Sequence, residues 1–283
     1  MKVTIGLVQM SMAADAAENR KMALDGIRAA AQKGAKIICL PELFTSPYFP
    51  QEEHADAEAF AETVPGETTA QLSKAARENK VVVIAGSIYE RHDKKFYNTA
   101  IAFDETGRML GAYRKMHIPH DPLFYEQDYF APGDIGYTVF ETRYGKIGAL
   151  ICYDQWFPEA ARIVSLMGAD MIFYPTAIGT VEGVEQSEGS WQEAWETVQR
   201  GHAIANGVVV AAVNRAGREK NMKFWGGSFV SSQFGTVLKR GSDHEEVIIA
   251  EVDLSLGKDV KEGWGFFSNR RPETYGKITE KKK

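Results

Sequence analysis

The chain has 283 residues, 44% of them apolar and 25% charged, a globular balance that excludes a disordered or fibrous polypeptide. Folding at this length buries roughly three quarters of the unfolded surface, so no disulfide or metal staple is required. Lys and Arg total 33 against 38 Asp and Glu, a net charge of −5, which argues against nucleic acid as the main partner.

In chain order, short runs rich in Val and Ile alternate with amphipathic stretches. A first strand opens at Ile5-Gly6 and ends near Gln9, too short and too polar for a secretory leader. The spacing of apolar residues then predicts helices over 16–32, 68–78, 158–167 and 191–205. Pro158 stands where a helix would begin, its missing N–H costing nothing there. Between these lie apolar strands over 36–40, 81–85, 146–151, 171–174 and 208–213, each short enough to be buried on both faces. Alternating strand and helix argue for an α/β fold with parallel pairing at its centre. No apolar run approaches the 18 or so residues that span a bilayer. With two cysteines, Cys39 and Cys152, the expectation is a cytoplasmic protein without a membrane partner. A single domain is expected over 1–276, followed by a flexible basic tail over 277–283 that ends in Lys281-Lys282-Lys283.

The chain also repeats itself. Gly34-Ala35-Lys36-Ile37-Ile38-Cys39-Leu40-Pro41-Glu42 lines up with Gly168-Ala169-Asp170-Met171-Ile172-Phe173-Tyr174-Pro175-Thr176. Asn79 to Ala85 lines up with Asn206 to Ala212, and Ile5-Gly6 with Ile147-Gly148. Asp104-Glu105-Thr106-Gly107 and Ser232-Gln233-Phe234-Gly235 are the corresponding turns. Strand, helix, strand, helix, strand and then hairpins therefore occur twice. Two similar sheets related by a pseudo-two-fold, with helices outside, follow.

In such sheets chemistry belongs at the carboxyl ends of the parallel strands, which here carry Glu42, Cys152 and Thr176. Cys152 closes a strand and enters a turn, where backbone N–H groups favour a thiolate and can bind an oxyanion. Cys39, mid-strand, reads as buried filler. Glu42 leaves the buried sheet directly after Pro41, a place where partial burial suits a general base. Lys115 follows a hairpin strand, and a fixed ammonium there could stabilise charge on a carbonyl oxygen. His117, His120 and Asp121 have only loose metal-like spacing among prolines.

Together, Leu40-Pro41-Glu42, Tyr113-Arg114-Lys115 and Ile151-Cys152-Tyr153-Asp154, with Trp156 and Pro158-Glu159, resemble the nitrilase superfamily of carbon–nitrogen hydrolases. The resemblance runs from the Gln9 strand to Asn269-Arg270-Arg271-Pro272. It implies a four-layer α-β-β-α sandwich and a catalytic triad of Glu42, Lys115 and Cys152. Glu126 occupies the place of a second glutamate found in many members. No metal or organic cofactor is implied, and assembly as a homodimer or higher homo-oligomer is. The stretches 152–159 and 174–179 look most like members that cleave a carbamoylated diamine. A small carbamoyl amine is thus the implied partner, with Tyr153, Asp154, Thr176 and Glu182 expected around it. Its far end is an ammonium that needs a carboxylate, for which Asp154, Glu182, Glu185 and Glu188 are the candidates. Relatives that bind carbamoyl amino acids place an arginine soon after the nucleophile, where this chain has Tyr153, Asp154 and Gln155.

Overall fold

The computed structural model describes residues 1–184 and 186–281. The first half runs β1 (Lys2–Gln9), α1 (Ala16–Gln32), β2 (Ile37–Cys39), α2 (Glu67–Asn79), β3 (Val82–His92), β4 (Lys95–Phe103) and β5 (Met109–Arg114). The second runs β6 (Val139–Thr142), β7 (Gly145–Ala149), α3 (Pro158–Leu166), β8 (Met171–Pro175), β9 (Gly179–Val181), α4 (Trp191–Asn206) and β10 (Val209–Val213). It continues through β11 (Ala216–Glu219), β12 (Met222–Trp225), β13 (Phe229–Ser231), β14 (Val237–Arg240), β15 (Glu246–Asp253) and α5 (Ser255–Trp264).

The helices begin and end for local reasons. Asp15 caps α1 by accepting from the Ala17 N–H at 2.6 Å, and Ser190 caps α4 by accepting from the Glu193 N–H at 3.2 Å. Pro158 opens α3, and Gly207 ends α4 in the left-handed region at φ 58°.

Two six-stranded sheets result, ordered β15-β1-β2-β3-β4-β5 and β14-β13-β10-β8-β7-β6. In each, three parallel strands (β1-β2-β3, β7-β8-β10) are flanked by antiparallel ones. The expected repeat is therefore present strand for strand. Its two turns also match: the Gly107 N–H bonds the Asp104 carbonyl and the Gly235 N–H bonds the Ser232 carbonyl, at 2.9 and 3.0 Å. Both glycines have positive φ, 85° and 81°.

Strand alternation sorts the core into layers. Ile5, Leu7, Ile37, Cys39, Val82 and Ile84 point at the second sheet and pack with Ala149, Met171 and Phe173. Val8, Ile38, Leu40, Val83 and Ala85 point the other way, onto Ile27 and Ala30 of α1 and Leu72 and Ala76 of α2. This is the α-β-β-α sandwich, and Cys39 fills its middle with no exposed surface.

One expectation changes. Within the loop read after Thr176, Gly179–Val181 forms β9 and joins a third, three-stranded sheet ordered β11-β12-β9. Gly179 permits it, because a Cβ there would lie 2.2 Å from the Lys223 carbonyl oxygen. At the carboxyl end, Gly276–Thr279 forms a short 3-10 turn at the start of the expected tail, and residues 282 and 283 lie outside the described residues.

Candidate active site

Glu42, Lys115 and Cys152 follow β2, β5 and β7 and meet in one buried place. The Lys115 Nζ donates to Glu42 Oε1 at 2.8 Å and to Glu126 Oε2 at 2.6 Å, and all three side chains are inaccessible to solvent. Asn98 of β4 ties the base to the ammonium: its Nδ2 donates to Glu42 Oε1 at 2.7 Å, and its carbonyl accepts the Lys115 N–H at 2.9 Å. Tyr48 donates its hydroxyl to Glu126 Oε1 at 2.7 Å. Gly86 of β3 lets the backbone just before Glu42 come close, since a Cβ would sit 2.0 Å from the Leu40 carbonyl oxygen.

Cys152 adopts φ 42°, a left-handed conformation that costs energy for a non-glycine residue and concentrates at functional turns. The Ile151 N–H donates to Asp154 Oδ2 at 2.8 Å, which fixes this elbow from behind. The thiol lies 4.0 Å from the Ala177 carbonyl. Burial pushes the Cys152 thiol well up, and Glu42 adds to this more than Lys115 opposes it. The turn's backbone N–H groups, expected to favour the thiolate, therefore act against this desolvation and the neighbouring carboxylate. Glu42 Oε2, buried and without a hydrogen-bond partner among the described residues, is an oxygen available for the thiol proton. Burial lowers the Lys115 ammonium, but Glu126 and Glu42 outweigh it and hold the ammonium well up. Burial raises Glu126 to about 7, Lys115 opposing and Glu42 assisting.

Above Cys152 opens a cavity of about 560 Å³. Phe124, Trp156, Trp191, Ile178 and Val181 give it apolar walls, Glu126 and Tyr153 line it beside the thiol, and Asp121 and Glu188 add carboxylates. Of the residues expected around the substrate, Tyr153 is there and three are not. Asp154 has no exposed surface and accepts from Tyr113, Ile151 and His117, so it braces the elbow and has no oxygen left for an amine. Thr176 is buried and donates to the Tyr174 carbonyl at 3.0 Å. Glu182 is carried outward on the β9 edge and pairs with Arg218 at 2.6 Å. Glu185 lies outside the described residues, whereas Glu188 lines the cavity and accepts from the indole N–H of Trp191.

His117 stacks on Phe157 with ring centroids 3.7 Å apart, and His202 binds the Gln155 carbonyl at 2.8 Å; neither lines the cavity. Among the described residues no group of three His, Cys, Asp or Glu side chains could hold a metal ion. Sequence reasoning missed Tyr48, Asn98, Arg215 and the cavity carboxylate of Asp121. Arg215 had a signal: Asn214-Arg215 directly follows the apolar run 208–213, a strand end like those that flagged Glu42 and Cys152.

A family model described as carbon–nitrogen hydrolase matches residues 4–262. An N-carbamoylputrescine amidase of Solanum lycopersicum is 40% identical over 283 residues, covering 96% of this chain and 93% of that protein. A citrullinase of Francisella tularensis is 34% identical, covering 99% of both chains. The solved carbon–nitrogen hydrolase of Helicobacter pylori superposes with a TM-score of 0.95 at 38% identity, covering 99% of each chain.

Proposed function

The chain belongs to the carbon–nitrogen hydrolase family, and on that premise we propose that it hydrolyses N-carbamoylputrescine to putrescine, carbon dioxide and ammonia, a step in polyamine synthesis. The observation that carries this reading is the composition of the cavity over Cys152. It presents Asp121 and Glu188 and, among the described residues, no arginine or lysine in its lining. A substrate ending in an ammonium gains a counter-charge there, and one ending in a carboxylate meets like charge. The aromatic and aliphatic walls suit the methylene chain between the two ends.

In this reaction Glu42 takes the Cys152 proton as sulfur attacks the carbamoyl carbon. The developing oxyanion is met by Lys115, which has one N–H left after serving Glu42 and Glu126, and by the Tyr153 N–H in the first turn after the elbow. Glu42 returns the proton to the leaving nitrogen, ammonia departs, and the carbamoyl carbon stays on sulfur as a thioester-level intermediate. Water, deprotonated by Glu42, then attacks that carbon, the C–S bond breaks, and Glu42 passes the proton to the departing sulfur. The released carbamic acid loses carbon dioxide to give the diamine. Glu126 holds Lys115 in place throughout. Assembly with a second copy belongs to the same proposal, supported by exposed Leu166, Met167 and Trp264 beside α3 and α5; sedimentation as a monomer would remove it.

The test is ammonia release from N-carbamoylputrescine, citrulline, N-carbamoyl-β-alanine and neutral butylurea. Preference for the first is expected, and Asp121→Asn with Glu188→Gln should raise its KM about fivefold while leaving butylurea unchanged, the size of a solvent-accessible ion pair. Preference for either amino acid derivative discards the substrate and keeps the chemistry.

A further inference from the structure

Arg215 stands between the two halves of the molecule, fully buried, and is not among the residues that line the cavity. Its guanidinium reaches across from the end of β10 to the segment after β2. Nε and Nη2 donate to the Glu42 carbonyl at 3.2 and 3.1 Å, and Nη2 also donates to the carbonyls of Leu43 and Ser46 at 2.7 and 3.0 Å. Three carbonyl dipoles pointing at one spot repel each other unless a cation sits among them, and only a planar fork can serve them together. Leu43, in the middle of this segment, has φ 47°, so the clamp holds a strained backbone. Nη1 pairs with Glu219 Oε1 at 2.7 Å, and the second oxygen of Glu219 accepts the Tyr48 N–H at 2.6 Å. Tyr48 in turn orients Glu126 through its hydroxyl. Both carboxylates that grip Lys115 thus hang from one guanidinium: Glu42 through its own main chain, Glu126 through Glu219 and Tyr48.

We propose that Arg215 is a positioning residue for the hydrolysis, setting the Glu42–Lys115–Glu126 geometry from the opposite half of the fold. Misplacing Glu42 by a fraction of an ångström moves its free oxygen away from the Cys152 thiol, while Asp121, Glu188 and the aromatic walls proposed to hold the substrate have no hydrogen bond to Arg215. The cost therefore falls on the proton transfer and not on binding.

The inference does not use the identity of the carbamoyl substrate, because alkylation of Cys152 by chloroacetamide reads the same proton transfer without one. Arg215→Lys keeps the charge opposite Glu219 but cannot reach three carbonyls. Expected is a fall of about 10²-fold in kcat and in the alkylation rate, with KM held within about threefold, as for other loss of reactant alignment. Guanidinium ion added to Arg215→Ala should recover part of both rates. Wild-type kcat in a folded Arg215→Lys protein, or a KM that rises as much as kcat falls, overturns the proposal. Should the lysine variant not fold, Glu219→Gln decides. The amide still accepts from Nη1 but no longer from the Tyr48 N–H, so kcat should drop about fivefold at unchanged KM, the worth of one hydrogen bond. An unchanged kcat overturns it.

Discussion

The two halves of this molecule share a backbone plan and divide the chemistry unequally. Glu42 follows β2, and its counterpart after β8 is Thr176, a buried hydroxyl bonded to its own strand. Cys152 follows β7; the matching place after β1 is Met10, a buried side chain of the core. Gln9, just before it, spends its amide on the Ser242 carbonyl at 2.9 Å and on the Ser228 N–H at 2.9 Å. In the proposed reaction base and ammonium thus come from the first half and thiol from the second, so neither half alone carries all three groups. The repeat supplies two sets of strand ends; one gathers the buried charges of Glu42, Lys115 and Glu126, and the other becomes packing.

The sharpest way to break this comparison is at sulfur. Cys152→Ala should abolish turnover, with a loss of at least about 10⁴-fold, while circular dichroism and the thermal midpoint stay near wild type. Retained ammonia release, with contaminating activity excluded, would remove the cysteine mechanism. Next comes Glu126→Gln, which should lower kcat about 10²-fold. It should also change the pH dependence of stability in a defined direction. Glu126 is raised from its ordinary 4.5 to about 7, so between those values the folded state holds a proton that the unfolded state has lost. Wild-type stability therefore falls as pH rises through that window and levels above it, and Glu126→Gln should flatten that slope; parallel slopes in melts from pH 4 to 8 would contradict the assignment. The smallest effect is expected from the silent counterpart. Thr176→Val loses one hydrogen bond, about 1 kcal/mol of stability, and should leave kcat within about twofold. A large kcat loss there would mean that the second set of strand ends is reactive after all.

The skeleton was legible because it is written locally. Residues 16–32 carry a helical apolar spacing and become α1 with those same ends, and the runs around Ile38 and Ile172 become matched buried strands. The meeting of Glu42, Lys115 and Cys152 in one buried cluster was legible because strand ends and a family resemblance point to the same three residues. The substrate side was not. Asp154 was chosen for its nearness to Cys152 in sequence, yet the elbow turns its carboxylate inward onto backbone and Tyr113. Glu182 was chosen from the loop after Thr176, where it follows the short strand β9 and turns outward to Arg218. Asp121 reaches the cavity from a segment whose prolines gave no periodicity to read. Tyr48, Asn98 and Arg215 act through partners dozens of residues away, and no local pattern encodes such a contact.

One further consequence lies in β15. It pairs along the whole of β1, from Lys2 opposite Asp253 to Gln9 opposite Glu246, so the strand that completes the first sheet is the last strand among the described residues. During synthesis the first strand therefore waits with an open edge until residue 253 has been made, and the halves cannot mature one after the other. A chain cut before residue 246 would expose that edge along its full length, an invitation to pair with a neighbour instead. Closing the first sheet, like gathering the buried charges of the site, draws on segments far apart along the chain.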